Sequence, residues 1–180
     1  MKIGIITTTI REGRAALDVA NWVLEQSKAR SNEFKYEIVD LKDFDLPAMG
    51  LAPTEKQAID INNWTEKINE LDGFIFVTAE YNHAPTGVIK NALDYLNPQF
   101  TNKPVGFVGY GGVGGARAVE HLRLIFAEYG AATIKRNVHF LLAFDFENFA
   151  TFKPMPYHET VIPELFDQLE SWTKLFKTIR

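Results

Sequence analysis

The sequence contains no cysteine in 180 residues. That excludes a disulfide framework, thiolate-bound zinc, cysteine-ligated iron–sulfur clusters and a cysteine nucleophile. Charge of one sign is scarce as well. Nineteen Lys and Arg against 23 Asp and Glu leave a net charge of −4, too little to build a field that attracts nucleic acid or an anionic membrane. Long hydrophobic runs are missing: the apolar start at residues 3–6 stops at Thr7-Thr8-Thr9. Such a run is too short for a signal-peptide core or a membrane span, so a soluble cytoplasmic protein is expected. His121, His139 and His158 form no i, i+4 pair. They are read as structural or solvated, and no metal site is expected.

What is present is an ordinary globular balance, 46% hydrophobic and 23% charged, which argues against disorder. The length suits one domain over residues 1–180, large enough for a core without staples. Fourteen Phe, six Tyr and three Trp are a rich aromatic stock. Short buried-strand runs lie at residues 3–6, 36–41, 74–78 and 105–110, and less clearly at 131–134 followed by 138–142. Helical spacing separates them. Ala16, Val19, Ala20 and Val23 mark one helix, and Ile61, Trp64, Ile68 and Leu71 a second behind a Thr54–Gln57 capping box. Ile89, Ala92, Leu93 and Leu96 mark a third; Val119, Leu122, Ile125, Phe126 and Tyr129 a fourth. The last is expected from about Ile162 to Ile179. This alternation predicts an α/β three-layer sandwich, a five-stranded parallel sheet with helices on both faces. The strand order that suits it is 2-1-3-4-5. Residues 43–53 and the longer aromatic stretch 143–159 read as loops, the second functional or interfacial because of its length.

Ligands of such sheets bind beyond the carboxyl ends of the strands, where three loops stand out. TTTIREGR at 7–14 offers hydroxyls, free N–H groups at a helix start and two guanidiniums, a set suited to a phosphate. No GK[ST] follows, so it is not a P-loop. TAEYNHAPTG at 78–87 places a Tyr and a His near the switch point; an ordinary Asn-centred turn is the plainer reading. GYGGVGGAR at 109–117 contains G-x-G-x-x-G, but on the fourth βα unit and without a suitably placed acid, which speaks against dinucleotide binding. Its five glycines would let the backbone approach a flat ring; a turn packed closely on its helix is the alternative. Lys90 and Asp94 are spaced for an exposed pair on one helix face, while Arg117 and Arg123 read as solvated.

Together the three loops resemble those of the NADPH-dependent FMN reductase family, flavodoxin-like flavin, quinone and azo-dye reductases. The family's G-S-x-R-x-G-R matches at 8–14, with Thr8 replacing the Gly. P-E-Y-N-x-S appears at 79–84 with Ala79 and Ala84 replacing the Pro and the Ser, and G-x-L-K-N-A-x-D is followed closely at 87–94. The resemblance covers about residues 1–135. It implies a non-covalently bound FMN, with NADPH or NADH as co-substrate. Thr9, Arg11 and Arg14 inherit the FMN-phosphate role. Main-chain groups of Glu80, Tyr81, Asn82 and His83 would hold one ring edge, and Tyr110, Gly111, Gly112, Gly114 and Gly115 the other. No acid or base is essential for hydride transfer; Tyr81, His83 or Tyr110 could deliver a proton to the acceptor.

The expected activity is therefore NAD(P)H-dependent reduction of a small flavin, quinone or azo acceptor. The rivals are a flavodoxin-type electron carrier that docks to protein partners and a non-catalytic flavin-binding regulator. By the same resemblance a homodimer or homotetramer is expected, with the 143–159 stretch as a subunit contact or a wall over the flavin.

Overall fold

The computed structural model describes residues 1–30 and 33–180. β1 (Lys2–Thr7), β2 (Lys35–Asp40), β3 (Gly73–Ala79), β4 (Pro104–Gly111) and β5 (Ala132–Leu141) form one parallel sheet in the order β2-β1-β3-β4-β5. The helices between them are α1 (Ala16–Ser27), α2 (Glu55–Glu70), α3 (Gly87–Asp94) and α4 (Ala116–Glu128). After β5 come a helical turn α5 (Leu142–Asp145), a small antiparallel hairpin of β6 (Phe146–Glu147) and β7 (Thr151–Phe152), and α6 (His158–Lys177).

Side-chain alternation along the strands builds a core on each face of the sheet. Ile3, Ile5, Ile75, Val77 and Val108 pack with Val19, Val23, Leu165 and Leu169 of α1 and α6. Ile6, Phe74, Phe76 and Phe107 face the other way, against Trp64, Leu93 and Phe126 of α2, α3 and α4. The second core is the aromatic one: Phe100 packs edge-on to both Phe74 and Phe126, with centroids 4.9 and 5.0 Å away. Each such ring contributes roughly 1.5–3 kcal/mol through burial. Trp64 hides its indole in this layer because its Nε1–H donates to the Ala92 carbonyl at 2.9 Å. The capping box at Thr54 and Gln57 is formed, and Lys90 pairs with Asp94 at 2.5 Å.

Three expectations need correction. The two runs either side of residues 135–137 are one strand, interrupted by a bulge where β4 steps from Val105 to Phe107 while β5 steps from Thr133 to Asn137. On an edge strand the extra residues turn outward, which is why polar side chains break the apolar run. The stretch 143–159 is not an irregular loop. It is a strap made of α5, the hairpin and a short connection, and α6 starts at His158, earlier than the apolar spacing indicates. Arg123 is not solvated: it bonds Asn137 Oδ1 at 2.7 Å and lies over Phe107.

Candidate functional site

The carboxyl ends of β1, β3 and β4 carry the three loops, and each is fixed by a different device. At the first, Thr8 is fully buried. Its hydroxyl donates to the Val77 carbonyl at 3.1 Å, and its own carbonyl accepts from Thr86 Oγ1 at 2.5 Å. The position that differs from the family's Gly is thus a satisfied link between β1 and β3. Arg14 turns back on the loop. Its guanidinium donates to the Thr9 carbonyl at 2.5 Å and grips both oxygens of Asp40 at 2.6 and 2.5 Å. Burial by itself would raise Asp40, yet the hydrogen bonds from Arg14, Thr7 and the Lys42 N–H hold its carboxyl below the usual range. Arg14 is correspondingly raised by its bond to Asp40. Sequence reading missed Asp40; its only signal was an acid at the end of the strand beside β1.

Arg11 remains for other work. Among the described residues it has no carboxylate partner, and its Nε donates to the Tyr81 hydroxyl at 2.8 Å. That contact ties the first loop to the second. A tight turn follows, in which Tyr81 and Ala84 exchange two main-chain hydrogen bonds of 2.9 and 3.1 Å. Both central residues, Asn82 and His83, have positive φ, +49° and +74°. The second loop is tied to the third through Glu80, whose carboxylate accepts from the Arg117 N–H at 3.1 Å and pairs with its guanidinium. Arg117 is therefore a latch as well as an exposed side chain, 45% of it open to solvent. Glu80 is held below its ordinary value: burial pushes it up, but the hydrogen bonds and charge of Arg117 outweigh that.

The glycine loop has two kinds of glycine. A Cβ on Gly109 would lie 2.4 Å from the Gly114 carbonyl oxygen, and one on Gly115 2.7 Å from the Tyr110 nitrogen. These two, with Gly114 pressed on His139, serve the chain's own packing. His139 Nδ1 donates to the Gly114 carbonyl at 2.9 Å and fixes that approach. Gly112 is different, since a Cβ there would meet nothing within 4 Å. The N–H groups of Asn82, His83, Gly112 and Val113 donate no hydrogen bond within the described residues.

These loops surround a cleft of about 260 Å³. Arg11, Gly13 and Ala15 line it from the first loop, Ala79, Glu80 and Tyr81 from the second, and Tyr110 and Gly111 from the third. The fourth wall is the strap, through Leu142, Phe146, Phe149 and Ala150. Of the sequence-predicted residues, Arg11, Glu80, Tyr81, Tyr110 and Gly111 meet in the cleft, while Arg14 faces Asp40 behind it. His83 sits apart, beside His121 with ring centroids 6.0 Å apart. A larger polar groove of about 390 Å³ lies along the outer edge of β5, lined by residues such as Lys135 and Gln168 that belong to none of the three loops.

Two further features lie at this end of the sheet. Thr9, buried behind the residues that line the cleft, makes no hydrogen bond of strict geometry at Oγ1 within the described residues, but its side chain lies within hydrogen-bonding reach of the Tyr110 hydroxyl. A Cβ at Gly13, which lines the cleft at φ +64°, would meet open space. Burial pushes the Tyr110 hydroxyl up to about 12, with Thr9, Arg11 and Arg14 pulling partly the other way. It stays protonated at neutral pH.

The sequence model of the NADPH-dependent FMN reductase family matches residues 1–145. The chain belongs to that family. An NAD(P)H-dependent FMN reductase of Schizosaccharomyces pombe is 37% identical over 128 residues, 68% of this chain and 64% of that protein. An NAD(P)H:quinone oxidoreductase of Solanum tuberosum is 29% identical over 153 residues, covering 80% and 75%. The match spans just under two thirds of the length of the fission-yeast reductase. Among solved structures, the flavoenzyme NAD(P)H:(acceptor) oxidoreductase FerB of Paracoccus denitrificans superposes with a TM-score of 0.68 at 15% identity, over 98% of this chain and 97% of that one. That likeness is one of fold. In this member of the NADPH-dependent FMN reductase family, the matched stretch ends at Asp145, so the hairpin and α6 lie beyond it.

No helix among the described residues is long and apolar enough to cross a membrane.

Proposed function

We propose that the cleft binds FMN and that the protein uses it to pass electrons from NADPH or NADH to a small flavin, quinone or azo acceptor. The observation that carries this reading is the convergence of the three family loops on one cleft, with Arg11, Glu80, Tyr81, Tyr110 and Gly111 among the residues that line it. FMN, when bound, supplies the hydride chemistry; the chain binds, orients and shields.

Thr9 and the uncompensated Arg11 supply a hydroxyl and a cation at the end of β1, where a phosphate is best held. Arg14 acts one step back as a positioning residue, since it fixes the Thr9 carbonyl while anchored on Asp40. Free N–H groups of Gly112 and Val113 are fixed dipoles that favour negative charge on a bound ring without rearranging. Tyr81 accepts from Arg11 and so keeps its own proton to donate at the cleft. The reading extends to one domain over residues 1–180 acting in the cytoplasm as a homodimer or homotetramer. Exposed Met155 and Tyr157 on the strap support such a contact.

The purified protein, incubated with FMN and desalted, is expected to stay yellow, to bleach with NADPH or NADH in the absence of air, and to regain its colour on adding a quinone. Failure to retain FMN at micromolar protein would overturn the binding. Bound FMN that neither nicotinamide bleaches would point instead to an electron carrier or a regulator.

A further inference from the structure

The hairpin at the top of the strap turns through Glu147-Asn148-Phe149-Ala150, closed by the Ala150 N–H donating to the Glu147 carbonyl at 3.1 Å. Asn148 and Phe149 both have left-handed backbones, φ +52° and +57°. A turn with both central residues left-handed selects Asn and then Gly. Asn148 obeys. Phe149 stands where Gly belongs, and a bulky residue in that region is a genuine outlier. Backbone strain of this kind persists where surrounding structure enforces it, and it clusters at functional sites.

What the position offers a phenylalanine is not burial, since Phe149 is 71% exposed. Nor does its ring stack on another among the described residues. The hairpin is anchored without it: Phe146 and Phe152 pack on each other at 5.3 Å, and Phe152 meets Phe140 edge-on at 5.0 Å. Yet Phe149 lines the cleft, opposite Arg11 and Tyr81 of the loops. Phe144 provides the contrast. It is on the same strap and 69% exposed, but does not line the cleft.

We infer that Phe149 is a specificity-determining residue, an aromatic platform at the mouth of the cleft that stacks on the flat ring of the electron acceptor. The inference rests on the functional reading above and narrows it to planar, ring-bearing acceptors. The turn places Phe149 among the residues that line the cleft, with most of its ring exposed and open to a planar partner.

The test compares wild type with Phe149→Gly, Phe149→Ala and Phe144→Ala. Phe149→Gly relieves the turn, so its Tm is expected to rise by roughly 2–4 °C. Its KM for a naphthoquinone should increase about fivefold. KM for ferricyanide, KM for NADPH and the FMN Kd should stay unchanged. Phe149→Ala should show the same KM change without the Tm gain, and Phe144→Ala neither. Naphthoquinone binding to the purified protein by equilibrium dialysis reads the same contact without turnover, and should weaken by the same factor in both Phe149 variants. Equal naphthoquinone binding in wild type and Phe149→Gly overturns the platform, as does no binding to wild type at all. A rise confined to the KM for NADPH also overturns it, since the ring would then serve the nicotinamide. The functional reading fails on a different result, a wild type that binds no FMN or oxidises no nicotinamide.

Discussion

The two ends of the central sheet are built on opposite principles. At the amino ends of the strands, Asp72 accepts from the Lys2 N–H at 2.9 Å and from Lys177 Nζ at 2.5 Å, with Arg180 close by. Lys103, buried over Phe74, donates to the Asn69 carbonyl at 3.0 Å at the C-terminus of α2. There the buried polar groups have partners. At the carboxyl ends Thr9 Oγ1 has no hydrogen bond of strict geometry and several loop N–H groups donate none among the described residues, and two tight turns place His83 and Phe149 where glycine would be easier. One end is finished by the chain itself; the other is completed by what binds to it. Local rules tend to fail where function lies, and here most of the failures gather at the carboxyl ends, although Asn102 before β4 also has a positive φ of +56°.

Breaking the Arg14–Asp40 pair tests whether the open end also has a structural core. Both side chains are nearly covered, 9% and 13% exposed. Asp40→Ala leaves a buried guanidinium without its carboxylate and should destabilise the protein by about 3 kcal/mol in denaturant titrations. FMN affinity should fall with it, because Thr9 loses its support. A variant as stable as wild type would show that the pair is dispensable.

A smaller and more selective effect is expected of Thr9→Val. Removing this weakly bonded hydroxyl should leave the FMN-free protein within about 0.5 kcal/mol of wild type. The FMN Kd should nevertheless rise about tenfold, or 1.4 kcal/mol. Equal losses of stability and affinity would mean that the two ends of the sheet do not differ in the way described.

The closed end should answer to pH and not to FMN. Burial pushes Lys103 down to about 8 from an ordinary value of 10.5. Between those values the unfolded chain holds a proton that the folded one has released, so stability rises with pH in that window. From pH 8 to 10 the gain should be about 1 kcal/mol after allowing for solvent screening. Lys103→Met should flatten it, with FMN affinity unchanged. A slope that survives the substitution would place the titrating group elsewhere.

Much of this contrast was legible in the sequence, though unevenly. β1, β3 and β4 are covered on both faces, so their residues form unbroken apolar runs. The Thr54–Gln57 box is a local motif and forms as local motifs do. The three loops announce themselves because each sits at a strand end in one order. The destinations of side chains were not legible. Arg14 could not be assigned to Asp40, because that partner comes from the neighbouring strand. The glycines of the third loop could not be sorted into those that pack on the chain and those that leave space. The start of α6 was missed because its apolar spacing begins only at Ile162, one turn into the helix, with Pro163 directly after it. The strap resisted most. Asp145 carries it: its carboxylate accepts from the Leu141 N–H at 2.8 Å, the Met155 N–H at 2.9 Å and His158 at 2.9 Å. Burial keeps His158 below its ordinary value and hence neutral at pH 7. No short window of sequence contains that arrangement.

The Asp145 clamp has an evolutionary consequence. It joins the last residue of β5 to the first residue of α6, so both ends of the strap are tied at one carboxylate before any of its interior is considered. What lies between can be lengthened, shortened or exchanged while the sheet and its helices keep their positions. The fourth wall of the cleft is thus an interchangeable cassette on a fixed frame. A lineage could change this fourth wall without touching the three loops opposite it.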